Sequence, residues 1–172
     1  QKVTIIQATP SFLSELAQAL DQEAVSRLSL TRICSGGESL KKELVEELKR
    51  KLPGVKLSNH YGPTETTIDA IALKDIDRYE TNWIGKPLPN TWAYIVNAAL
   101  KPVPVGVAGE LLIGGAAVSP GYLNRPEINA EKFLSNLVDP QKGGPVYRSG
   151  DLARWLPDGN IEFIGRIDEQ VK

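Results

Sequence analysis

The chain has 172 residues, 41% hydrophobic and 24% charged, which is the composition of a globular protein with a real core and argues against disorder. Twenty basic and 21 acidic residues leave a formal net charge of -1, so no overall field would attract nucleic acid or an acidic membrane surface. One cysteine excludes an internal disulfide, and without a signal peptide or a long apolar run we expect a cytoplasmic protein that handles a small partner.

The first 60 residues predict a parallel sheet with crossover helices. A β-branched, apolar run over residues 3–8 is typical of a buried strand, and Pro10 ends it. Apolar residues at helical spacing follow, and then a second short strand at Ile33-Cys34. Ser39 is expected to cap the next helix, and residues 55–60 form a third strand. This βαβαβ order is typical of an α/β unit.

After about residue 75 the predicted architecture changes, because short strands separated by Pro and Gly replace the helical periodicity. Strands are predicted over residues 92–96 and 109–114, a turn over residues 157–160, and one helix from Pro126 to Phe133. We therefore predict an α/β unit followed by a β-rich, antiparallel unit, with boundaries at 1–75 and 76–168.

Several kinds of site are excluded by missing motifs. One Cys and one His cannot form a zinc cluster, and neither a phosphate-binding Walker loop, a GxGxxG fingerprint nor a GxSxG elbow occurs. Four Gly- and carboxylate-bearing loops remain, at residues 35–38, 61–65, 114–122 and 148–151. The first two follow predicted parallel strands, where ligands of open α/β sheets bind.

The residue types in these loops suit a nucleotide. Gly36 and Gly37 let a planar ligand approach the backbone, and the Tyr61 ring offers a face for stacking. Thr64 brings a hydroxyl and Glu65 a hard carboxylate, groups used beside phosphate and Mg²⁺. Each loop taken singly also fits a plainer interpretation, as a tight turn or a solvated acid.

Two further residues could serve a nucleotide in the same way. Asp151 could accept hydrogen bonds from ribose hydroxyls, and Arg166 could donate to ribose or phosphate oxygens. Asp151 taken alone also fits a helix or turn cap. Cys34 is expected to be a small core residue and not a nucleophile.

Four longer motifs point to one family. NHYGPTETT resembles NxYGPTE, GELLIGGAAVSPGYLNRPE resembles GELxIxGxxVxxGYxxRPE, YRSGDLARW resembles YxTGDLxRW, and GRIDEQVK resembles GRxDxQVK. Combined in this order, they resemble the adenylation domains of nonribosomal peptide synthetases, members of the adenylate-forming superfamily. The resemblance covers essentially the whole chain, and the run from Asn124 to Glu127 favours peptide synthetases over acyl-CoA synthetases.

The resemblance implies a fold, a reaction and partners. The fold would be the end of the pocket-bearing α/β subdomain plus a β-barrel-like subdomain. The enzyme would use ATP and Mg²⁺ to convert an amino acid to its adenylate, release pyrophosphate, and pass the aminoacyl group to a phosphopantetheine thiol on a peptidyl carrier domain. A condensation domain would be a further partner, and neither nucleic acid nor a membrane is expected.

The resemblance also implies roles for individual residues. Asn59 and Tyr61 would frame the adenine together with Gly36, Gly37 and Glu38; Thr64 would touch the α-phosphate or the substrate carboxylate; Glu65 would help to hold Mg²⁺; Asp151 would bind the ribose hydroxyls; and Arg166 would reach ribose or phosphate. Phe163 stands where the family often has a tyrosine near the nucleotide, so the ring is kept and a hydroxyl is lost.

Family pocket positions fall on Gln7, Ile33, Ser35, His60, Ile68 and Asp69. Four of these six are polar, which favours a polar or hydroxylated amino acid, because an unpaired buried polar group costs about 1–3 kcal/mol. Ile33 and Ile68 also fit ordinary core positions, and His60 could simply bond a loop carbonyl.

Both ends look cut, so we expect a fragment that is inactive alone. By resemblance it lacks an upstream phosphate loop, an upstream aspartate for the substrate ammonium, and a C-terminal subdomain with a catalytic lysine. Asp168 would be the hinge to that subdomain, with residues 169–172 beginning it. The alternatives are an acyl- or aryl-activating ligase and a catalytically silent nucleotide-binding module, although the presence of Thr64, Glu65, Asp151 and Arg166 together counts against the silent module.

Overall fold

The computed structural model describes residues 2–136 and 138–167, and the predicted hinge residue Asp168 and residues 169–172 lie outside them. The helices are α1 Pro10–Ala19, α2 Gln22–Arg27, α3 Lys42–Lys51 and α4 Pro126–Lys132. The strands are β1 Ile5–Ala8, β2 Arg32–Gly36, β3 Lys56–Tyr61, β4 Ile71–Leu73, β5 Trp83–Pro87, β6 Thr91–Val96, β7 Gly109–Gly115, β8 Phe133–Ser135, β9 Pro145–Trp155 and β10 Ile161–Arg166.

The strands form one hydrogen-bonded path in the order β1-β2-β3-β4-β5-β10-β9-β7-β6, and β8 pairs with β9. Strands β1, β2 and β3 are parallel, whereas the pairings from β3 onward are antiparallel. This arrangement confirms the predicted fold class of an α/β unit followed by a β-rich unit.

The α/β half is built on one covered face of the parallel strands. Ile6 lies beside Ile33, and Ile33 lies beside Leu57, so the three side chains share a face. Helices α1 and α3 cover this face, and Leu13 and Leu48 are almost completely buried against it. Packing of these apolar stripes accounts for the helices that the sequence predicts.

Helix α3 begins later than the sequence predicts. Its first residue is Lys42, and Lys41 at the N-cap makes no side-chain capping bond. Ser39, the predicted cap, instead donates its hydroxyl to Asn82 Oδ1 over 3.0 Å. The prediction of a Ser39 cap was wrong because a polar partner far along the chain engages the hydroxyl.

Strand β5 carries the sheet from one half to the other. It pairs with β4 on one side and with β10 on the other, while the predicted boundary near residue 75 falls between β4 and β5. Ile76 and Tyr79 pack into the core of the α/β half, whereas Ala70 and Ile71 pack into the core of the β-rich half. Each of the two predicted units therefore contributes residues near β4 and β5 to the hydrophobic core of the other.

Gly85 is a position where the junction requires glycine. Its φ is +94°, and a Cβ there would collide with the backbone of Ala72 on β4. We expect Gly85→Ala to lower the local free energy of unfolding by more than about 3 kcal/mol, as measured by hydrogen exchange of β4 and β5. Gly54 is the matched control, because its φ is +88° and no atom lies within 4 Å of the position that a Cβ would take. Gly54→Ala should cost only about 1 kcal/mol, and equal losses at the two sites would show that backbone collision is unimportant.

Candidate active site

A cleft of about 700 Å³ opens where β3 ends, between the turn that follows β3 and strand β10. Nine residues singled out by the sequence line it: Gly37, Glu38, Asn59, His60, Tyr61, Thr64, Ile68, Phe163 and Arg166. The cleft therefore lies beyond the carboxyl ends of the parallel strands, where ligands of open α/β sheets bind.

The Gly-rich loop after β2 is held by the start of α1. Ser11 donates its backbone N–H to Glu38 Oε2 over 3.0 Å and its hydroxyl to Glu38 Oε1 over 2.9 Å. A carboxylate at a helix N-terminus is favoured by the helix dipole. The Glu38 side chain is thus anchored to α1, and neighbouring Gly37, at φ +85°, lines the cleft.

Tyr61, Asp151 and Arg166 form a buried polar cluster between β3, β9 and β10. Tyr61 Oη donates to Asp151 Oδ2, and Arg166 Nη1 donates to Asp151 Oδ1 over 2.9 Å and to the Ser149 carbonyl over 2.7 Å. Burial first, and then the Asp151 charge, raises the pKa of Tyr61 well above its usual value, so the hydroxyl keeps its proton and donates.

This cluster places Asp151 differently from Tyr61 and Arg166. Tyr61 and Arg166 line the cleft, whereas Asp151 is only 1% exposed and is not among the lining residues. The Asp151 carboxylate already accepts from Tyr61 and Arg166, so a ligand hydroxyl would have to join or displace these contacts. The sequence predicts that Asp151 lies near the nucleotide site, but not that it is hydrogen-bonded to Tyr61 and Arg166.

The wall of the cleft combines two aromatic rings with a buried amide. The Tyr61 and Phe163 rings lie 6.3 Å apart at an angle of 39°. Asn59 is 4% exposed, and its amide donates to the Trp83 carbonyl over 2.8 Å. Asn59 therefore holds β5 at the cleft wall, and its amide nitrogen already donates to the Trp83 carbonyl.

Tyr79 is a lining residue that the sequence analysis missed. It is 4% exposed, and its hydroxyl donates to the Leu40 carbonyl over 2.9 Å. Burial raises its pKa to about 12. The only local signal was an aromatic residue in a mostly polar connector, which is too weak to assign to a site.

The turn carrying Thr64 and Glu65 is a short 3-10 helix, Thr64–Thr66, directly after β3. Thr64 is exposed and lines the cleft. Gly62 allows the chain to double back, because a Cβ there would lie 2.8 Å from the Ala70 nitrogen. The tight return places Thr64 at the mouth of the cleft.

The loop after β7 fastens this turn. Tyr122 Oη donates to Glu65 Oε1, the Ser119 N–H donates to the Glu65 carbonyl over 2.8 Å, and Thr67 Oγ1 donates to the Ala117 carbonyl over 2.8 Å. Burial first, and then Glu65, raises the pKa of Tyr122. Tyr122 belongs to the GYLNRPE motif, but nothing in the sequence assigned it to Glu65.

Three of the predicted pocket residues meet on the open face of the parallel strands. Gln7 Nε2 donates to Asp69 Oδ2 over 3.1 Å, and His60 Nδ1 lies 3.1 Å from the same oxygen. Cys34 is on this face, and its pKa is raised mainly by burial and further by Asp69. Gln7, His60 and Asp69 therefore form one polar group.

The other predicted pocket residues are placed elsewhere. Ile33 is 1% exposed in the core beneath α1 and α3, and Ser35, two residues later on the same face, is 3% exposed. The Ser35 hydroxyl has no hydrogen-bond partner among the described residues. Ile68 is 65% exposed and lines the cleft, so it is not the core residue that its apolar side chain could also suggest.

The charged groups fit a nucleotide with a divalent cation. Within the described ranges no three His, Cys, Asp or Glu residues come together as a metal cage. Mg²⁺, however, is commonly held by one or two carboxylates plus substrate phosphates. Glu65 is next to Thr64 in sequence but does not itself line the cleft, and its carboxylate could supply one such ligand. No helix in residues 2–136 or 138–167 has the length and apolar character needed to cross a bilayer.

A family model and known proteins match most or all of the chain. The family model of the AMP-binding enzyme matches residues 1–123. The chain is 45% identical over 172 residues to tyrocidine synthase 3 of Brevibacillus parabrevis, covering 99% of this chain and 3% of that protein. It is 44% identical over 180 residues to bacitracin synthase 3 of Bacillus licheniformis, covering 100% of this chain and 3% of the relative.

Solved structures show the same resemblance. The nonribosomal peptide synthetase FmoA3 has a TM-score of 0.84 at 31% identity, over 95% of this chain and 18% of that one. PA1221, described as a nonribosomal peptide synthetase protein containing adenylation and PCP domains, has a TM-score of 0.85 at 28% identity, over 98% of this chain and 34% of the other. The chain thus spans a small part of each protein that it matches.

Proposed function

Because the chain belongs to the AMP-binding enzyme family, we propose that it forms part of an adenylation domain of a nonribosomal peptide synthetase. In the proposed reaction an amino-acid carboxylate oxygen attacks the α-phosphorus of ATP. A new P–O bond forms, the bond between the α-phosphorus and the bridging oxygen breaks, and pyrophosphate leaves. The observation that carries the proposal is the cleft in which Tyr61, Phe163, Arg166 and Thr64 come together.

The nucleoside would be bound by rings and backbone. The Tyr61 and Phe163 rings offer apolar faces against which an adenine could pack. Gly37 leaves room for close approach of the base to the loop after β2. Asp151 would accept from the ribose hydroxyls beside or in place of the Tyr61 contact, and Arg166 would hold the carboxylate through Oδ1.

Thr64 and Glu65 would serve the phosphates. The Thr64 hydroxyl at the mouth of the cleft can donate to an α-phosphate oxygen or to the substrate carboxylate, where negative charge is concentrated. Glu65 would help to hold Mg²⁺, which supplies Lewis-acid neutralisation of phosphate charge when bound. The catalytic use of these two residues rests on their position beside the cleft.

We propose that the amino acid has a polar side chain. Gln7 and His60 both engage the Asp69 carboxylate, whose side chain remains 28% exposed. A hydroxyl or amide of the substrate could hydrogen-bond to this group. An aliphatic side chain would remove water from it without supplying a hydrogen bond in its place.

Asp69→Ala tests the polar pocket. We expect the ratio of kcat/KM for the preferred polar amino acid to that for an aliphatic one to fall about 10–100-fold, corresponding to 1–3 kcal/mol of lost pairing. Asp75→Ala is the control, because Asp75 pairs with Arg32 and Lys56 at the exposed edge of the same region. An unchanged ratio in the Asp69 variant would contradict a polar pocket formed by this residue.

The proposed partners follow from the chemistry and from the relatives. A phosphopantetheine thiol on a peptidyl carrier domain would accept the aminoacyl group, and PA1221 combines adenylation and PCP domains in one protein. A condensation domain would then use the loaded carrier. The reaction consumes ATP, so we place it in the cytoplasm.

Amino-acid-dependent exchange between ATP and pyrophosphate tests the function. The full polypeptide that contains this chain would be assayed with the proteinogenic amino acids and with several aryl and fatty acids. Exchange with one polar amino acid is expected. Exchange only with aryl or fatty acids would indicate an acyl- or aryl-activating ligase, and ATP binding without any exchange would indicate a silent nucleotide-binding module.

A further inference from the structure

The hydroxyl of Tyr122 contacts the carboxylate of Glu65 across 57 positions of the sequence. We propose that Tyr122 is a positioning residue, which orients the Glu65 carboxylate toward the divalent cation that accompanies ATP. The proposal rests on the proposed function, because that function gives Glu65 its role toward the cation. Tyr122 itself would touch neither the nucleotide nor the cation.

The backbone of Tyr122 is fixed from α4. Asn129 Oδ1 accepts the Tyr122 N–H over 2.7 Å, and Asn129 Nδ2 donates to the Tyr122 carbonyl over 2.9 Å. Gly121 stands at φ +128° directly against the Asn129 side chain, where a Cβ would lie 2.9 Å from it. One amide thus satisfies both backbone groups of Tyr122 and sets the path of the loop.

The ring of Tyr122 is fixed by neighbouring aromatic side chains. It packs edge-on against Phe133, with centroids 5.5 Å apart and planes at 74°. Phe133 in turn lies 5.2 Å from the ring of Tyr147 on β9. With backbone and ring both held, the Tyr122 hydroxyl has little freedom, so a hydrogen bond from it defines the direction of its acceptor.

The same loop holds Glu65 at two points. The Ser119 N–H donates to the Glu65 carbonyl over 2.8 Å, while Tyr122 engages the side chain. A neutral hydroxyl that binds Oε1 adds no charge to the site and leaves other lone pairs of the carboxylate for a cation. Tyr147 Oη lies 3.5 Å from Tyr122 Oη and also interacts with Glu65. Removal of the Tyr122 hydroxyl should therefore loosen the hold on the Glu65 side chain without changing the charge of the site.

Tyr122→Phe tests the proposal while keeping the ring contact with Phe133. We expect a 10–100-fold weaker affinity for Mn²⁺, the range typical of lost hydrogen bonds to metal ligands. Free Mn²⁺ would be titrated by electron paramagnetic resonance, using the full polypeptide saturated with α,β-methylene-ATP. The Mg²⁺ concentration that gives half-maximal exchange should rise by a similar factor.

Tyr94→Phe is the matched control. Its hydroxyl accepts from Asn136 over 3.2 Å and not from the Glu65–Tyr122 pair, so its loss should leave Mn²⁺ affinity unchanged. A second variant, Asn129→Ala, releases the backbone of Tyr122 and should weaken Mn²⁺ affinity in the same direction. Circular dichroism of each variant checks that the fold is retained.

The outcomes separate this inference from the proposed function. Mn²⁺ affinity that is equal in the folded Tyr122→Phe variant and in the unaltered protein would overturn the positioning role, while exchange by the unaltered protein would leave the function standing. An unaltered protein with neither exchange nor nucleotide-dependent Mn²⁺ binding would overturn the function, and the positioning role with it.

Discussion

Replacing Asp151 with alanine is expected to lower the local free energy of unfolding by about 3–5 kcal/mol, because it removes one partner of a buried ion pair. The Arg166 side chain is 17% exposed and Asp151 2%, so water can replace little of the lost interaction. Tyr61 would lose its hydrogen-bond acceptor at the same time. Hydrogen exchange of β9 and β10 measures the loss.

The chain offers a matched control on the same two strands. Arg154 and Glu162 form an exposed ion pair at 2.6 Å between β9 and β10, and Glu162→Ala should cost at most about 1 kcal/mol. If the two variants lost equal stability, the buried cluster would not support the junction of β3 with β9 and β10.

Asp151 should also govern recognition of the sugar. Asp151→Asn retains an acceptor oxygen while removing the charge, and it should reduce the preference for ATP over 2′,3′-dideoxy-ATP by about 10–100-fold. Equilibrium binding of the two nucleotides measures this preference. A preference equal to that of the unaltered protein would contradict a role for Asp151 in binding the ribose.

Glu65→Gln is expected to reduce kcat/KM for ATP–pyrophosphate exchange by about 10²–10³-fold, the usual effect of losing one preorganised group that stabilises developing charge. Glutamine keeps an oxygen for the Tyr122 hydroxyl but cannot bind a cation as a carboxylate does. Higher Mg²⁺ concentrations should restore part of the activity.

Glu127→Gln controls for loss of a carboxylate in this region, because Glu127 is exposed at the start of α4. Its exchange rate should remain unchanged. A loss below about threefold in the Glu65 variant, less than 1 kcal/mol of barrier, would contradict a role for Glu65 toward the phosphates.

Periodicity predicted much of the fold. The apolar runs before Pro10 and around Ile33 became β1 and β2, and the strand predicted over residues 92–96 became β6, one residue longer. Helix α2 was missed because six residues carry too little periodicity, although Asp21 does cap it. Strand β9 was missed as a continuous element because its eleven residues include the Arg148–Asp151 motif, which was interpreted as a loop.

The location of the candidate site could be predicted from the sequence, but its side-chain contacts could not. Chain order places the loops after β2 and β3 at the same end of the parallel sheet, and the structure brings Gly37, Tyr61 and Thr64 to one cleft there. Side-chain pairings between distant strands were not predictable, because a single sequence does not give antiparallel register. The contacts of Asp151 with Tyr61 and of Glu65 with Tyr122 are of this kind.

Alternation along a strand also decides which pocket residues face each other. Ile33 and Ser35 are two residues apart and share the helix-covered face, while Gln7 and His60 face Asp69 on the other. The pocket positions taken from the family resemblance therefore include residues from both faces of the parallel sheet. The parallel register of β1, β2 and β3 was needed to separate them.

The identity of the products tests the central claim most directly. The full polypeptide that contains this chain would be incubated with ATP, Mg²⁺ and the amino acid that supports exchange, and the products would be separated and weighed by mass spectrometry. We predict an aminoacyl adenylate and pyrophosphate in equal amounts. Formation of ADP and phosphate instead, or of an adenylate only from an aryl or fatty acid, would contradict amino-acid activation by this site.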